Sequence, residues 1–215
     1  GGIKGVQQDG FLSAELDLPL MTFIGRFTDQ KGVDKLVGAL APLLPLDAHF
    51  QVLIQGTGNP EYEEALRRLA TRKANRGRVC LLRGYEPVLA NRVYAAGDFF
   101  LVPSRYEPCG LTDFIAQLFG NLPIVHHIGG LVKVLAGRTG FAYREHSSAA
   151  LMGAMQHALR LFREEPEKIA AMQQQAVQLI HQKYTWDIVV QRYLELYQQA
   201  LHQLDAPHAT RSNRK

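Results

Sequence analysis

The chain has little cysteine, a single tryptophan and no apolar run long enough to cross a bilayer. Its two cysteines, Cys80 and Cys109, are too few for a disulfide framework. Cys80 falls in an apolar run and reads as a buried thiol, and the pair suits a reducing compartment. No His/Cys spacing fits zinc, and no Asp-x-Asp pair offers a metal–diphosphate clamp. A Gly-x-Ser-x-Gly elbow, a P-loop and a Gly-x-Gly-x-x-Gly fingerprint are all missing. The start, Gly1-Gly2-Ile3-Lys4-Gly5, carries no apolar signal region and no initiator Met, as expected of an excised fragment. Excess charge is also scarce. The net +4 includes Arg211, Arg214 and Lys215 in the stretch from Pro207 to Lys215, which has no acid, and this leaves +1 for the rest. No basic patch is interleaved with aromatics, so the sequence offers no nucleic-acid surface. The tail's polar, Pro-containing composition predicts disorder over residues 203–215.

What is present is a globular composition. At 215 residues, 47% apolar and 20% charged, the chain can bury a sizeable core. Short apolar runs alternate with helical patterns. The runs Met21–Ile24, Phe50–Ile54, Val79–Leu82, Phe99–Val102 and Pro123–His126 predict strands, with a weaker one at Gly140–Tyr143. Most are continuously apolar, as in strands covered on both faces. Strand alternating with helix predicts an α/β, doubly wound, Rossmann-like parallel sheet with right-handed crossovers, in one domain from about Leu20 to His202. Asn59-Pro60-Glu61 supplies an N-cap, a proline at the first helical position and a first-turn acid. Glu63 with Arg67, and Glu64 with Arg68, are spaced as i,i+4 pairs. Leu151, Met155, Leu159 and Phe162 share a face behind Ser147-Ser148, and Val189, Tyr193 and Tyr197 do so behind Thr185. A helix is expected from Leu111 to Phe119, and Trp186 is expected to pack one helix onto another.

In such a sheet, ligands bind outside the carboxyl ends of the strands. Read in order, those ends are Gly25-Arg26-Phe27-Thr28-Asp29-Gln30-Lys31-Gly32, then Gln55-Gly56-Thr57-Gly58, then Arg83-Gly84-Tyr85-Glu86. The turn Pro103-Ser104-Arg105-Tyr106-Glu107-Pro108-Cys109-Gly110-Leu111-Thr112 follows, and after it His126-His127-Ile128-Gly129-Gly130-Leu131. Every one of these edges carries glycine, a cation or a ring. Glycines let a ligand approach the backbone. Arg26 and Lys31 place two positive charges in one loop, each worth roughly 4 kcal/mol against a phosphate charge before desolvation. The expected ligand is a diphosphate. Gly-Thr-Gly also fits a plain strand-to-helix turn, and Tyr85 also fits a core edge. His126 and His127 are neighbours, so on a strand they face opposite ways and cannot form a two-ligand metal site. They are either structural or polar lining of the cleft.

Taken together, these residues resemble the C-terminal domain of bacterial glycogen synthases and plant starch synthases, which are retaining glycosyltransferases of the two-Rossmann-domain (GT-B) architecture. The resemblance rests on Phe23-Ile24-Gly25-Arg26, Gln30-Lys31-Gly32, Gly56-Thr57-Gly58, Gly84-Tyr85, the block from Pro103 to Thr112, Gly129-Gly130-Leu131, Tyr184-Thr185-Trp186 and Tyr193–Tyr197, in order along nearly the whole chain. It implies transfer of glucose from a nucleotide sugar, ADP-glucose above all, to the non-reducing end of an α-1,4-glucan. Arg26 and Lys31 would bind the diphosphate and stabilise the leaving group, with the Leu111 and Thr112 N–H groups adding a helix start. Tyr85 would stack on the nucleobase. Glu107 would hold the transferred sugar, making Arg26, Lys31 and Glu107 the catalytic set. Gly25, Gly56, Thr57, Gly58, Cys109, Gly110, Gly129 and Gly130 would shape the nucleotide and sugar site. The resemblance implies no cofactor and no metal, because cations and the helix end take that role. Its partners would be an α-glucan acceptor and a missing N-terminal Rossmann domain, with no membrane and no nucleic acid. The compartment would be a bacterial cytoplasm, or a plastid.

The pattern departs from the family at some positions. Ile115 stands where the broader retaining family repeats an acid, Ile128 stands where Thr usually precedes Gly-Gly-Leu, and the segment between Leu131 and Thr139 is short. Residues 1–19 resemble the end of an inter-domain linker, so this half is expected to bind nucleotide but not to turn over alone. The competing readings are a retaining GT-B transferase using another nucleotide sugar, a nucleotide- or glucan-binding module that has lost turnover, for which Ile128 is the motive, and a phosphate-binding Rossmann domain without sugar specificity.

Overall fold

The chain enters its sheet earlier than the apolar runs suggest. A computed structural model describes residues 5–14 and 18–205, with side chains to residue 202. Within the segment expected to be linker, Gln7–Leu12 forms strand β1, which pairs antiparallel with β4 (Arg78–Arg83) at the sheet edge. Its sequence, Gln-Gln-Asp-Gly-Phe-Leu, lacks the β-branched run that marks a buried strand. Cross-strand contacts hold it instead. Arg83 Nε donates to Asp9 Oδ2 at 2.8 Å, and a Cβ on Gly10 (φ 70°) would lie 2.3 Å from the Val79 carbonyl oxygen.

The remaining strands follow the apolar runs: β2 (Leu20–Ile24), β3 (Gln51–Gly56), β5 (Phe99–Val102), β6 (Leu122–His126) and β7 (Phe141–Tyr143). All pair in parallel, and the order across the seven-stranded sheet is β1-β4-β3-β2-β5-β6-β7. The expected doubly wound sheet is therefore present, with one antiparallel edge. Helices α1 (Val33–Leu46), α2 (Pro60–Thr71) and α5 (Ser148–Glu164) supply one face, where Leu36, Leu40, Leu66, Leu151, Met155 and Leu159 are fully buried with Phe50, Ile54 and Phe99. Helices α3 (Pro87–Ala96) and α4 (Thr112–Leu118) bring Leu89, Val93, Tyr94 and Ala116 into two smaller clusters with strand residues such as Leu53, Cys80, Leu82, Phe100 and Val125. Burial pushes the Cys80 thiol up to about 11, which suits the inert role its sequence position suggests.

The caps follow the sequence closely. Asn59 accepts from the Glu61 N–H at 2.8 Å ahead of Pro60, and Ser147 accepts from the Ala150 N–H at 3.1 Å. One expected ion pair is replaced. Glu64 takes both Arg67 (2.7 Å) and Arg68 (2.8 Å), and Glu63 turns away from Arg67 toward the Gly-Thr-Gly loop. Helix α4 is also shorter than the stretch to Phe119, because Gly120 and Asn121 turn the chain into β6.

The chain divides into two compact units, 1–177 and 178–215, and the first contains the whole sheet. Helix α6 (Pro166–Lys183) carries the chain into the second, which holds α7 (Trp186–Asp205). There Trp186, expected to pack, is 78% exposed, and Tyr193 and Tyr197 are exposed as well. The tail from residue 206 lies outside the described residues. Among the described residues no helix is long and apolar enough to cross a membrane.

Candidate functional site

Strand order reverses between β2 and β5, since β3 and β4 lie to one side and β6 and β7 to the other. A crevice outside the carboxyl ends at that reversal is the ligand position of a doubly wound sheet. Two loops border it, residues 25–32 after β2 and residues 103–111 after β5. They are tied together. The Arg105 N–H donates to the Gln30 carbonyl at 2.8 Å. Gly32, with φ 67°, lies so close to Pro103 that a Cβ would stand 1.9 Å from its carbonyl oxygen. Lys31 Nζ donates to Glu107 Oε2 at 2.6 Å, and the Ser104 hydroxyl donates to the same oxygen at 3.1 Å. Glu107 is therefore not a lone solvated acid. It is a buried carboxylate already bound to one of the two cations expected to meet a phosphate.

A second layer supports the Glu107 turn. The Gly130 N–H donates to the Glu107 carbonyl at 2.7 Å. A Cβ on Gly129 would stand 2.3 Å from that same oxygen, and one on Gly130 would stand 2.0 Å from the Cys109 oxygen. Lys133, which the sequence reading passed over, reaches the back of the turn. Its ammonium donates to the Cys109 carbonyl at 2.5 Å and to the Gly110 carbonyl, lies 3.2 Å from Asp113 Oδ1, and sits 4.1 Å from the centre of the Phe114 ring. Asp113 is fully buried, and burial pushes its carboxyl up to about 6 despite the Lys133 charge beside it. Behind β6, His126 is buried with Nδ1 2.8 Å from the Ser104 carbonyl oxygen and Nε2 3.2 Å from that of Arg144. It joins strand ends and leaves no ring nitrogen facing the crevice. Of the two readings open for it, the structural one holds.

On the other side of the crevice a cavity of about 450 Å³ opens between the ends of β2 and β3 and the starts of α3 and α4. Of the site residues expected from the sequence, Gly25, Arg26, Gly56, Thr57, Tyr85 and Thr112 line it. Arg26 is exposed and makes no ion pair among the described residues, and the Tyr85 ring is 69% exposed. Lys31, Glu107, Cys109, Gly110, Gly129 and Gly130 do not line it. They form the adjoining hydrogen-bonded cluster, joined to the cavity by the Arg26–Lys31 loop and by the step from Gly110 (φ 68°) through the exposed Leu111 to Thr112. Sequence reasoning missed the lining by the buried Ala90 and Tyr94 and the exposed Asn91 of α3, whose helical spacing marks one face only once α3 is placed. It also noted Ile115 without placing it there.

The glycines of Gly-Thr-Gly turn out to serve packing. A Cβ on Gly56 would meet the Gly25 oxygen at 1.9 Å, and one on Gly58 would meet the Phe27 oxygen at 2.4 Å. Glu63 accepts from the Thr57 hydroxyl at 2.6 Å and from the Gly58 N–H at 3.0 Å, and these bonds hold its carboxyl below the usual carboxylate range. Those two donors are thus already spent on an acid. Glu86 similarly caps α3 through the Val88 and Leu89 N–H groups. Helix α4 has seven residues, so its aligned peptide dipoles are few, and the positive charge lining the cavity is that of Arg26, Lys31 being paired with Glu107. Among the described residues no group of three or more His, Cys, Asp or Glu side chains is placed to hold a metal ion.

Comparison with known proteins places this geometry among relatives. Residues 19–161 match the family model described as glycosyl transferases group 1. The chain is 35% identical over 203 residues to a glycogen synthase of Desulfitobacterium hafniense, covering 91% of this chain and 42% of the relative. It is 36% identical over 200 residues to one of Anaeromyxobacter sp., covering 90% and 40%. Among solved structures, the catalytic domain of starch synthase IV from Arabidopsis thaliana, bound to ADP and acarbose, superposes with a TM-score of 0.76 at 27% identity, over 90% of this chain and 40% of that one. The chain thus spans about two fifths of the length of the curated relatives it matches.

Proposed function

Because the chain belongs to the glycosyl transferases group 1 family, we propose that it is the donor-binding domain of a retaining glycogen or starch synthase. It would take part in moving glucose from ADP-glucose to the non-reducing end of an α-1,4-glucan. The observation that carries this reading is the juxtaposition at the strand-order reversal. An open cavity with Arg26 and Tyr85 in its lining adjoins a Lys31–Glu107 pair held at 2.6 Å.

Each residue then has a physical task. Tyr85 offers a face on which a nucleobase stacks. The Arg26 guanidinium meets the diphosphate bidentately, and Lys31 exchanges part of its bond to Glu107 for a phosphate oxygen. Charge that develops on the departing diphosphate is met by these two cations, so they favour bond breaking and not only binding. Glu107, held by Ser104, keeps its carboxylate beside the hexose and accepts hydroxyl hydrogen bonds from it. Gly110, Gly129 and Gly130 keep the turn close enough for the sugar to rest on backbone. No metal has a part in this scheme. The acceptor groove would lie on the remaining length of the parent protein, and this half alone would bind nucleotide without elongating glucan.

Calorimetry of the 215-residue chain with ADP tests the reading. Saturable binding is expected, weakened about tenfold or more by Arg26→Ala, the loss of one or two charge-assisted hydrogen bonds. Absence of heat with ADP and ADP-glucose at millimolar ligand overturns it. Tighter binding of UDP than ADP moves the assignment to a transferase using another nucleotide sugar. Fusion to the remainder of the parent, assayed for labelled glucose entering glycogen, distinguishes a working synthase half from a binding module.

A further inference from the structure

The floor of the cavity contains an anomaly that the scheme above does not use. Gln55, the penultimate residue of β3, is fully buried, and neither Nε2 nor Oε1 of its carboxamide finds a hydrogen-bond partner among the described residues. It pairs across the sheet with Ile24 on β2 and Leu82 on β4. Strand alternation puts its side chain on the same face as Leu53, the face covered by α3. Gln55 lines the cavity there, together with Ile24, Ala90, Tyr94 and Ile115. A donor and an acceptor, fixed side by side, are surrounded by apolar groups. An unpaired carboxamide in such surroundings destabilises the fold, whereas leucine at this point would continue the run Val52-Leu53-Ile54 without that cost. The carboxamide atoms are closed off from solvent, so a partner reaches them only when the side chain turns into the cavity it lines, and a ligand atom pair is such a partner.

Resting on the reading of this site as a nucleotide-sugar site, we propose that Gln55 determines nucleobase specificity, its carboxamide pairing with the hydrogen-bonding edge of the base that Tyr85 stacks. The chemistry required is a flat heteroaromatic ring with an adjacent donor and acceptor. Adenine meets it with an amino group beside a ring nitrogen, the bidentate match that a glutamine side chain makes to adenine elsewhere. The cavity volume of about 450 Å³ falls in the range of small-molecule sites, and its apolar walls suit an aromatic ring. Arg26 and the backbone hold the diphosphate, so base reading and phosphate binding are separable.

That separation provides the test. ADP, UDP and inorganic pyrophosphate are titrated into wild type and Gln55→Leu by calorimetry, and both proteins are melted without ligand. The variant is expected to lose about tenfold or more in ADP affinity, the cost of one neutral hydrogen-bonded pair facing an apolar group. Pyrophosphate affinity should stay unchanged, and the melting temperature should rise by about 2–4 °C, because an unsatisfied polar group has been removed. A rise in stability together with a loss confined to base-bearing ligands is not what a structural glutamine gives. A variant that binds ADP as well as wild type overturns the inference while leaving the nucleotide site intact. So does one that loses ADP and pyrophosphate equally, or one that melts lower or fails to fold, since each would assign the carboxamide a structural role. A wild-type chain that binds neither nucleotide removes the underlying reading and this inference with it.

Discussion

Replacing Asp113 by asparagine should change the pH dependence of stability by an amount the structure sets. Asp113 is fully buried beneath the Glu107 turn, 3.2 Å from the Lys133 ammonium, and burial pushes its carboxyl from 3.8 to about 6. The sign follows from linkage. The folded state holds this proton more tightly than the unfolded chain does, so the contribution is most favourable below the unfolded value. It is lost progressively as pH rises through the folded one. At about 1.4 kcal/mol per tenfold difference in proton affinity, the full loss by pH 8 is about 3 kcal/mol, and at pH 5 roughly half of it has occurred. Asparagine carries no such penalty, and because the attraction of Lys133 is already contained in the shifted value, the rest of the substitution's cost does not vary over this range. The decisive quantity is therefore the stability of variant minus wild type, measured by urea unfolding at pH 5 and pH 8. It should be more favourable to the variant at pH 8 by roughly 1–2 kcal/mol. The other carboxyls cancel in this difference, as does His146, whose ring is held below its ordinary value chiefly by burial. An identical difference at both pH values would refute the argument and mean that Asp113 is solvated or ionised in the native protein throughout.

Two further outcomes follow from the contacts around the same turn. Gly130→Ala places a methyl 2.0 Å from the Cys109 carbonyl oxygen, a backbone atom that cannot swing aside. It should cost about 1–3 kcal/mol in thermal unfolding and weaken ADP-glucose more than ADP, because the displaced turn carries Glu107. Glu107→Ala removes the anion that holds Lys31 at 2.6 Å. ADP affinity measured by calorimetry should stay within about threefold of wild type or increase, while transfer by the full-length parent is lost, and a collapse of ADP binding would show that Glu107 builds the phosphate site instead.

The sheet and the crevice were legible because their signals are local. Four-residue apolar runs such as Phe99–Val102, too short for helices and closed by turn residues, read as covered strands, and a glycine or cation after each marks the same edge. Strand β1 was not legible, since an edge strand has one partner and needs no apolar face. Its Gln7, Gln8 and Asp9 read as linker until Arg83 is found across the ladder. The loop glycines were legible as sites of close approach, but not for what approaches. Gly56 and Gly58 make room for the backbone of Gly25 and Phe27, and Gly129 and Gly130 for that of Glu107 and Cys109. The ligand-binding loops of this fold are packed on each other before they meet a ligand. Lys133, which holds the turn from behind, was hidden because its partners are distant in sequence, and Glu63, although close to Thr57 and Gly58 in sequence, was hidden because its spacing to Arg67 suggested a helical ion pair instead.

Gln55 differs from all of these. It ends an apolar strand run, and a polar residue in that position is either paired across the sheet or exposed at a loop. The structure excludes both, since it is buried and its carboxamide is unpaired among the described residues. A cost of about 1–3 kcal/mol is a large fraction of the stability of a domain this size. Such a cost persists where it serves something outside the folded chain. Asn121 Oδ1 and the Tyr143 hydroxyl are also buried without a partner among the described residues, but they do not line the cavity, whereas Gln55 does, and departures of that kind concentrate at functional sites. The glycines and cations of the crevice would serve a diphosphate of any nucleotide. The carboxamide beneath them is the feature able to distinguish one base from another, so substrate choice here turns on the strand and not on the loops.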